Sequence, residues 1–80
     1  MIHELKTLKK YFKPLSSGLK LFEIRKNDRE FKIDDILILK EWNKKNGFSG
    51  RELSFKITYI LSGGKFGIDK NYCIMSLKKV

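Results

Sequence analysis

The feature that most restricts how this chain can fold is the alternation of apolar and polar side chains across residues 51–61, the clearest in the chain. Successive side chains of a β-strand point to opposite faces, so this pattern predicts one long strand with one buried face. The positions predicted to face inward are Leu53, Phe55, Ile57, Tyr59 and Leu61. The chain is therefore expected to be built around a sheet.

Four further segments have the character of strands. Residues 36–39 are a continuous apolar run, which predicts a strand covered on both faces. Residues 2–6, 20–26 and 72–78 are predicted as shorter strands. Polar and glycine-rich stretches separate them. Of these, residues 43–50 are predicted to be a polar, mobile loop, and residues 62–69 a glycine loop before the last strand.

A single helix is predicted near the start of the chain. Its apolar positions recur at the spacing i, i+3, i+4 and i+7, at Leu8, Tyr11, Phe12 and Leu15. Thr7 is the expected N-cap, because its hydroxyl can accept a hydrogen bond from a free amide of the first turn. Gly18 is expected to end the helix in the left-handed conformation.

One helix and about five strands, with no alternation of strands and helices, argue against a doubly wound parallel sheet. A small sheet protects its edge strands by closing. We therefore predict a mainly β (α+β) fold: a small β-barrel of about five strands with one N-terminal helix. Eighty residues make a single domain, residues 1–80.

The charge balance favours an anionic partner. Eighteen lysines and arginines against nine aspartates and glutamates give a formal charge of +9. On so small a domain this favours nucleic acid first and an acidic protein or anionic lipid second, although lysine-rich surfaces also serve solubility. The single cysteine excludes an internal disulfide. No apolar run approaches the roughly 20 residues of a membrane span, and no signal peptide is evident, so we expect a cytoplasmic protein.

The predicted second strand carries the residues most suited to chemistry. Strand parity places Phe22 and Ile24 on one face and Glu23 and Arg25 on the other. A carboxylate and a guanidinium two residues apart can contact each other or one common ligand. Lys20 stands at the mouth of the strand, so three charged groups are expected to lie close together.

The pattern Gly18-x-Lys20-x-x-Glu23-x-Arg25 resembles the G-x-K-x-x-E-x-R signature of ASCH domains, small barrels related to PUA domains. Three longer strings resemble a narrower bacterial and phage branch, DUF3850: H-E-L-K-T at residues 3–7, F-E-I-R-K-N-D-R at residues 22–29 and G-G-K-F-G at residues 63–67. The resemblance extends from about residue 2 to 77. It implies a PUA-like barrel with a cleft at the signature that takes nucleic acid.

The sequence therefore predicts a small RNA-binding module, with RNA or another nucleic acid or nucleotide as partner and no membrane attachment. Arginine and lysine suit phosphate, and Glu23 could orient Arg25 or accept from a base. A structural ion pair that ties strands together is the alternative. The glycine loop is a second candidate, because glycines let amides approach a phosphate, although a tight turn explains it equally well. The predicted binding residues are Lys20, Glu23, Arg25, Lys26, Asn27, Arg29, Gly63, Gly64 and Lys65.

Two other functions remain open from the sequence. Some small ASCH relatives hydrolyse acylated cytidine nucleosides with a lysine, a threonine and a glutamate. Lys20 matches that lysine, whereas Glu23 stands where the threonine is expected, and no third member can be named. If the protein is an enzyme, Lys20 and Glu23 are the predicted catalytic pair. A phage-type protein-interaction module is the third hypothesis. His3 and Cys73 show no metal-ligand spacing, and no metal or cofactor is predicted.

Overall fold

The computed structural model describes all 80 residues, Met1–Val80, and folds them into one five-stranded sheet with one helix. The elements in chain order are β1 (Ile2–Leu8), α1 (Lys9–Ser17), β2 (Phe22–Lys26), β3 (Ile36–Asn43), β4 (Gly47–Ser62) and β5 (Tyr72–Lys79). The sheet order is β1-β3-β4-β5-β2. Strands β1 and β3 are parallel, and all other neighbours are antiparallel. The prediction of a mainly β fold with about five strands and one early helix is confirmed.

The sheet curls into a half-barrel because β4 is long enough to serve two neighbours. The first part of β4 pairs with β3 and the second part pairs with β5. Register shifts at both pairings, next to Lys40 and next to Ile57, bend and twist the strand. The two edge strands, β1 and β2, are not paired with each other. We call the gap between them the seam.

The core lies inside the curl and follows the predicted alternation. Phe55 and Ile57 of β4 are fully buried, and so are Leu37 and Leu39 of β3 and Met75 of β5. The helix closes one side of this core by burying its own apolar residues, Phe12 and Leu15. Burial of large side chains is the main favourable contribution to folding in so small a domain.

The predicted inward face of β4 is wrong beyond Ile57. A bulge inserts Thr58 between the pairs formed by Ile57 and Tyr59, so the parity of all later residues is reversed. Tyr59 is 60% exposed, whereas Ile60 packs against the core. Tyr59, Ile60 and Leu61 after the bulge are all apolar, so the amino-acid pattern does not show which of them face the core.

The start of α1 also differs from the prediction. Strand β1 continues to Leu8, which is the N-cap residue and makes no side-chain capping bond. Thr7 therefore lies within the strand and is buried. The other end is as predicted, because Gly18 adopts the left-handed conformation with φ +83°. The helix of nine residues is neither long nor apolar enough to cross a membrane.

The predicted polar loop at residues 43–50 is mostly strand. Strand β3 extends to Asn43 and β4 begins at Gly47, so only a three-residue turn at residues 44–46 separates them. The Asn43 side chain fixes this turn by accepting a hydrogen bond of 2.7 Å from the Asn46 amide. Gly47 follows with φ +73°, a conformation that glycine adopts without strain.

Candidate functional site

A cleft of about 390 Å³ opens along the seam, and we call it the seam cleft. One wall comes from the end of β1 and the start of α1, and the other from β2 with the residue two positions before it. The lining residues are Lys6, Thr7, Leu8, Tyr11, Lys20, Phe22, Glu23, Ile24 and Arg25. Its volume falls in the range of about 300–1,000 Å³ found for small-ligand sites.

The floor of the seam cleft is an ion-pair cluster centred on Glu23. This side chain is only 5% exposed, because β2 turns it into the barrel. Its Oε1 accepts a hydrogen bond of 2.8 Å from Lys20 Nζ, and its Oε2 accepts one of 2.7 Å from Arg25 Nε. Two cations thus neutralise one buried carboxylate, and the cluster retains one net positive charge. The predicted convergence of Lys20, Glu23 and Arg25 is present.

Arg25 also bridges the seam. Its Nη2 donates to the Lys6 carbonyl at 2.9 Å and to the Thr7 hydroxyl at 3.3 Å. From the turn after β2, Arg29 Nη1 donates to the Glu4 carbonyl at 3.0 Å. The two carbonyls belong to alternate residues of β1, on the edge where no strand is paired. Arginine side chains therefore satisfy backbone acceptors that a closing strand would otherwise satisfy.

These bonds leave specific groups available to a ligand. Lys20 Nζ donates to Glu23 and to the Phe22 carbonyl at 2.8 Å, which leaves one of its three protons free. Arg25 Nη1 donates to no protein acceptor. The rings of Tyr11 and Phe22 are 42% and 43% exposed. The seam cleft thus offers an ammonium, half of a guanidinium and two aromatic rings.

The remaining predicted residues lie outside the seam cleft. Lys26 ends β2, and the Asn27 amide donates to the Asn71 carbonyl at 2.7 Å, so this end of β2 is tied to the segment before β5. The glycine loop lies at the same end of the sheet and lines no part of the cleft. Lys26, Asn27, Gly63, Gly64 and Lys65 are therefore not brought together with Lys20, Glu23 and Arg25, and Arg29 bridges the same seam without lining the cleft.

Gly63 has a clear structural role. A Cβ atom at this position would lie 1.9 Å from the Asp69 carbonyl oxygen and 2.5 Å from that of Tyr72. The Gly63 amide donates to the Tyr72 carbonyl at 2.8 Å, and this hydrogen bond ties the start of the glycine loop to the first residue of β5. The close backbone approach explains the glycine without a ligand.

Sequence reasoning missed the part of the site that β1 and α1 supply. Thr7 was expected at a helix cap and Tyr11 in the apolar face of the helix. A signal for Thr7 exists in the alternation of β1, whose inward positions are His3, Leu5 and Thr7. A hydroxyl on an inward face needs a polar partner, and Arg25 is that partner.

His3 and Cys73, the other reactive side chains, are engaged elsewhere. His3 Nε2 lies 2.8 Å from Asp35 Oδ2, and Asp35 also accepts from the N-terminal ammonium at 3.0 Å. The hydrogen bond with His3, aided by the N-terminus, lowers the pKa of Asp35 to about 2. Cys73 is fully buried in the core, and burial raises the pKa of its thiol. No three His, Cys, Asp or Glu side chains are grouped so that they could hold a metal ion.

Comparison with known proteins gives a family and a phage relative. The chain is 44% identical over 57 residues to a protein of Escherichia phage P2 called "Uncharacterized 12.9 kDa protein in GpA 3'region". The aligned part covers 71% of this chain and 51% of the relative, so the chain spans about half the length of that protein. Residues 2–77 match DUF3850, a domain of unknown function. This confirms the narrower part of the sequence-based identification, and the chain belongs to the DUF3850 family.

Proposed function

We propose that this protein is a small RNA-binding module of the PUA-like kind, which holds one unpaired nucleotide in the seam cleft. The resemblance of the Gly18 to Arg25 pattern to the ASCH signature supports this proposal, and so does the formal charge of +9. The phosphate would contact Lys20 and the free half of Arg25. The base would stack on an exposed ring.

The observation that carries the proposal is the position of Lys20 between two exposed aromatic rings. Its Nζ lies 4.7 Å from the centroid of the Phe22 ring and 5.6 Å from that of Tyr11. Proteins that bind single-stranded RNA combine cations that follow the phosphates with aromatic rings that stack on bases. A purely structural ion pair would not need two rings left open to solvent beside it.

The charges in the seam cleft set the expected salt dependence. Lys6, Lys20 and Arg25 are its three cations. If all three contact phosphates, log Kd changes by about 0.7 per contact for each tenfold change in salt, or about 2 in total. Raising the salt from 50 to 200 mM should then weaken binding by about 20-fold. Non-specific affinity at physiological salt should lie at about 10⁻⁴ to 10⁻⁶ M, by analogy with DNA.

Titration of a fluorescent single-stranded RNA at two salt concentrations tests the proposal. Phe22→Ala should weaken binding by at least about fivefold, because one stacked base contributes about 1–3 kcal/mol. Phe66→Ala is the matched control, since this ring is 83% exposed and lies outside the seam cleft. Lys20→Ala should weaken binding more than Lys78→Ala does. Absence of binding at 50 mM salt, or equal losses from the paired variants, would contradict the proposal.

A nucleoside amidohydrolase is the second candidate, and the composition of the seam cleft favours it. The Thr7 hydroxyl lies in the same cleft as the Lys20–Glu23 pair, so a lysine, a threonine and a glutamate occur together. Incubation with N4-acetylcytidine distinguishes the two functions. A binding module releases no cytidine, whereas an amidohydrolase releases cytidine and acetate and loses this activity in Lys20→Ala.

A further inference from the structure

A second hollow, which we call the bulge pocket, opens where the pairing of β3 with β4 is irregular. The pairing is regular to Lys40 and resumes at Trp42 with a shifted register, so residues 49–51 of β4 face the single residue Glu41. Bulges re-aim a side chain and are frequent beside functional sites. The bulge pocket has a volume of about 270 Å³, and its lining is Lys40, Glu41, Phe48, Gly50, Arg51 and Glu52.

Glu41 is the unusual residue of the bulge pocket. Its side chain is 8% exposed, and its nearest cation is Arg51, whose Nη1 lies 4.0 Å from Oε1, beyond hydrogen-bond distance. The Arg51 guanidinium also lies over the ring of Phe12, 5.1 Å from its centroid. Every fully enclosed side-chain oxygen in the protein has a hydrogen-bond partner. The Glu41 carboxylate has no such partner, so it is accessible from the pocket that it lines. At 8% exposure the Glu41 carboxylate has room for few water molecules, so a ligand that supplies a hydrogen-bond donor from the pocket would be stabilised.

We propose that the bulge pocket binds the amino-bearing edge of a nucleobase, with Glu41 as the hydrogen-bond acceptor. This inference rests on the proposed function, because the base belongs to RNA held in the seam cleft. A carboxylate only accepts hydrogen bonds, so it pairs with the exocyclic amines of cytosine, adenine and guanine and not with the O4 oxygen of uracil. The protein should therefore select these three bases over uracil at this position.

The other walls of the bulge pocket suit a base. Phe48 is 58% exposed and presents a ring on which a base can stack. Arg51 places positive charge at the rim, where a phosphate would lie, whereas Lys40 is paired with Glu4. The volume is below the range of about 300–1,000 Å³ typical of sites for larger ligands, so the pocket fits a base edge better than a whole nucleotide.

The two hollows are adjacent in the sheet. Thr7 lines the seam cleft, Glu41 lines the bulge pocket, and they are direct partners in the register of β1 with β3. Neighbouring strands lie about 4.8 Å apart, and in-register residues of a parallel pair project from the same face. One short RNA strand could therefore occupy both hollows with successive nucleotides.

Titrations with single-stranded hexamers of cytidine, adenosine and uridine test the inference at low salt. The wild type should bind the cytidine and adenosine hexamers at least about fivefold more tightly than the uridine hexamer. Glu41→Gln keeps the shape but adds a donor that uracil can accept, so the preference should shrink toward one. Glu30→Gln removes the same charge at an exposed residue outside both hollows and should keep the wild-type preference.

The outcomes separate this inference from the proposed function. Equal binding of all three hexamers, or an unchanged preference in Glu41→Gln, would overturn the role of Glu41. If Phe22→Ala still weakened binding in that case, the seam cleft would stand without base selection. If none of the three hexamers bound, both proposals would fail together.

Discussion

Replacing Arg25 with methionine should destabilise the fold strongly, because this side chain bridges the seam. The substitution removes a hydrogen bond of 2.7 Å to Glu23, a bond of 2.9 Å to the Lys6 carbonyl and a longer one of 3.3 Å to Thr7. It keeps an unbranched apolar side chain in the same position. The loss therefore reports on the polar contacts more than on packing.

The expected magnitude follows from these three bonds. The charged guanidinium donates all three bonds, and a bond to a charged group contributes about 1.5–3 kcal/mol, but Arg25 is 25% exposed and water screens part of this contribution. Lys20 still pairs with Glu23 at 2.8 Å in the variant, so the carboxylate is not left fully unpaired. We expect a loss of about 3 kcal/mol in the free energy of unfolding. A domain of this size is stable by only about 4–12 kcal/mol, and its Tm should fall by about 12–24 °C.

Urea denaturation measures this loss, and the fluorescence of Trp42, the single tryptophan, reports unfolding. Arg51→Met is the matched control, because Arg51 is 65% exposed and lies 4.0 Å from its carboxylate. Arg51→Met should lower the free energy of unfolding by less than about 1 kcal/mol. The double variant Glu23→Leu with Arg25→Met should be more stable than the sum of the single losses predicts. A loss below about 1 kcal/mol in Arg25→Met would refute the bridging role, and strict additivity in the cycle would refute the ion pair of Arg25 with Glu23.

Two further predictions concern stability away from the seam cleft. Because the folded-state pKa of Asp35 is about 2, below its ordinary 3.8, the native state binds fewer protons, and stability should decline as the pH falls from about 4 to 2. Asp35→Asn should flatten this part of the pH profile in urea titrations, and an unchanged slope would contradict the bond with His3. Gly63→Ala should lower Tm more than Gly67→Ala, since a Cβ at Gly63 meets two carbonyl oxygens whereas one at Gly67 meets nothing within 4 Å. Gly67→Ala should lose only the about 1–2 kcal/mol that a side chain costs in the left-handed conformation. Similar Tm values for the two variants would contradict the steric clash at Gly63.

Much of the fold follows from local pattern. The alternation up to Ile57 and the apolar run of β3 identify the two central strands, because the order of apolar and polar residues shows which faces are buried. Gly18 marks the end of the helix for a conformational reason that is equally local. The bulge at Thr58 is different, since it depends on the pairing of β4 with β5, which no short pattern specifies.

Only the β2 wall of the candidate site was predictable from the sequence. The parity of β2 places Glu23 and Arg25 together, and the structure has them 2.7 Å apart. The other wall depends on the sheet order, which makes β1 and β2 the two unpaired edges. The alternation of β1 indicates that Thr7 faces inward, but only the sheet order brings Thr7 and Tyr11 beside β2. Local sequence rules assign a threonine before a helix to a cap, and the parallel pairing of β1 with β3 overrode this preference.

Amide chemical-shift mapping by NMR tests the central claim most directly. A short single-stranded RNA is titrated into the labelled protein at 50 mM salt, and shifts are followed residue by residue. The seam cleft predicts the largest shifts at Thr7, Tyr11 and residues 20–25. Shifts confined to the glycine loop at residues 63–67, or spread evenly over the lysines of the surface, would contradict a defined site in the seam.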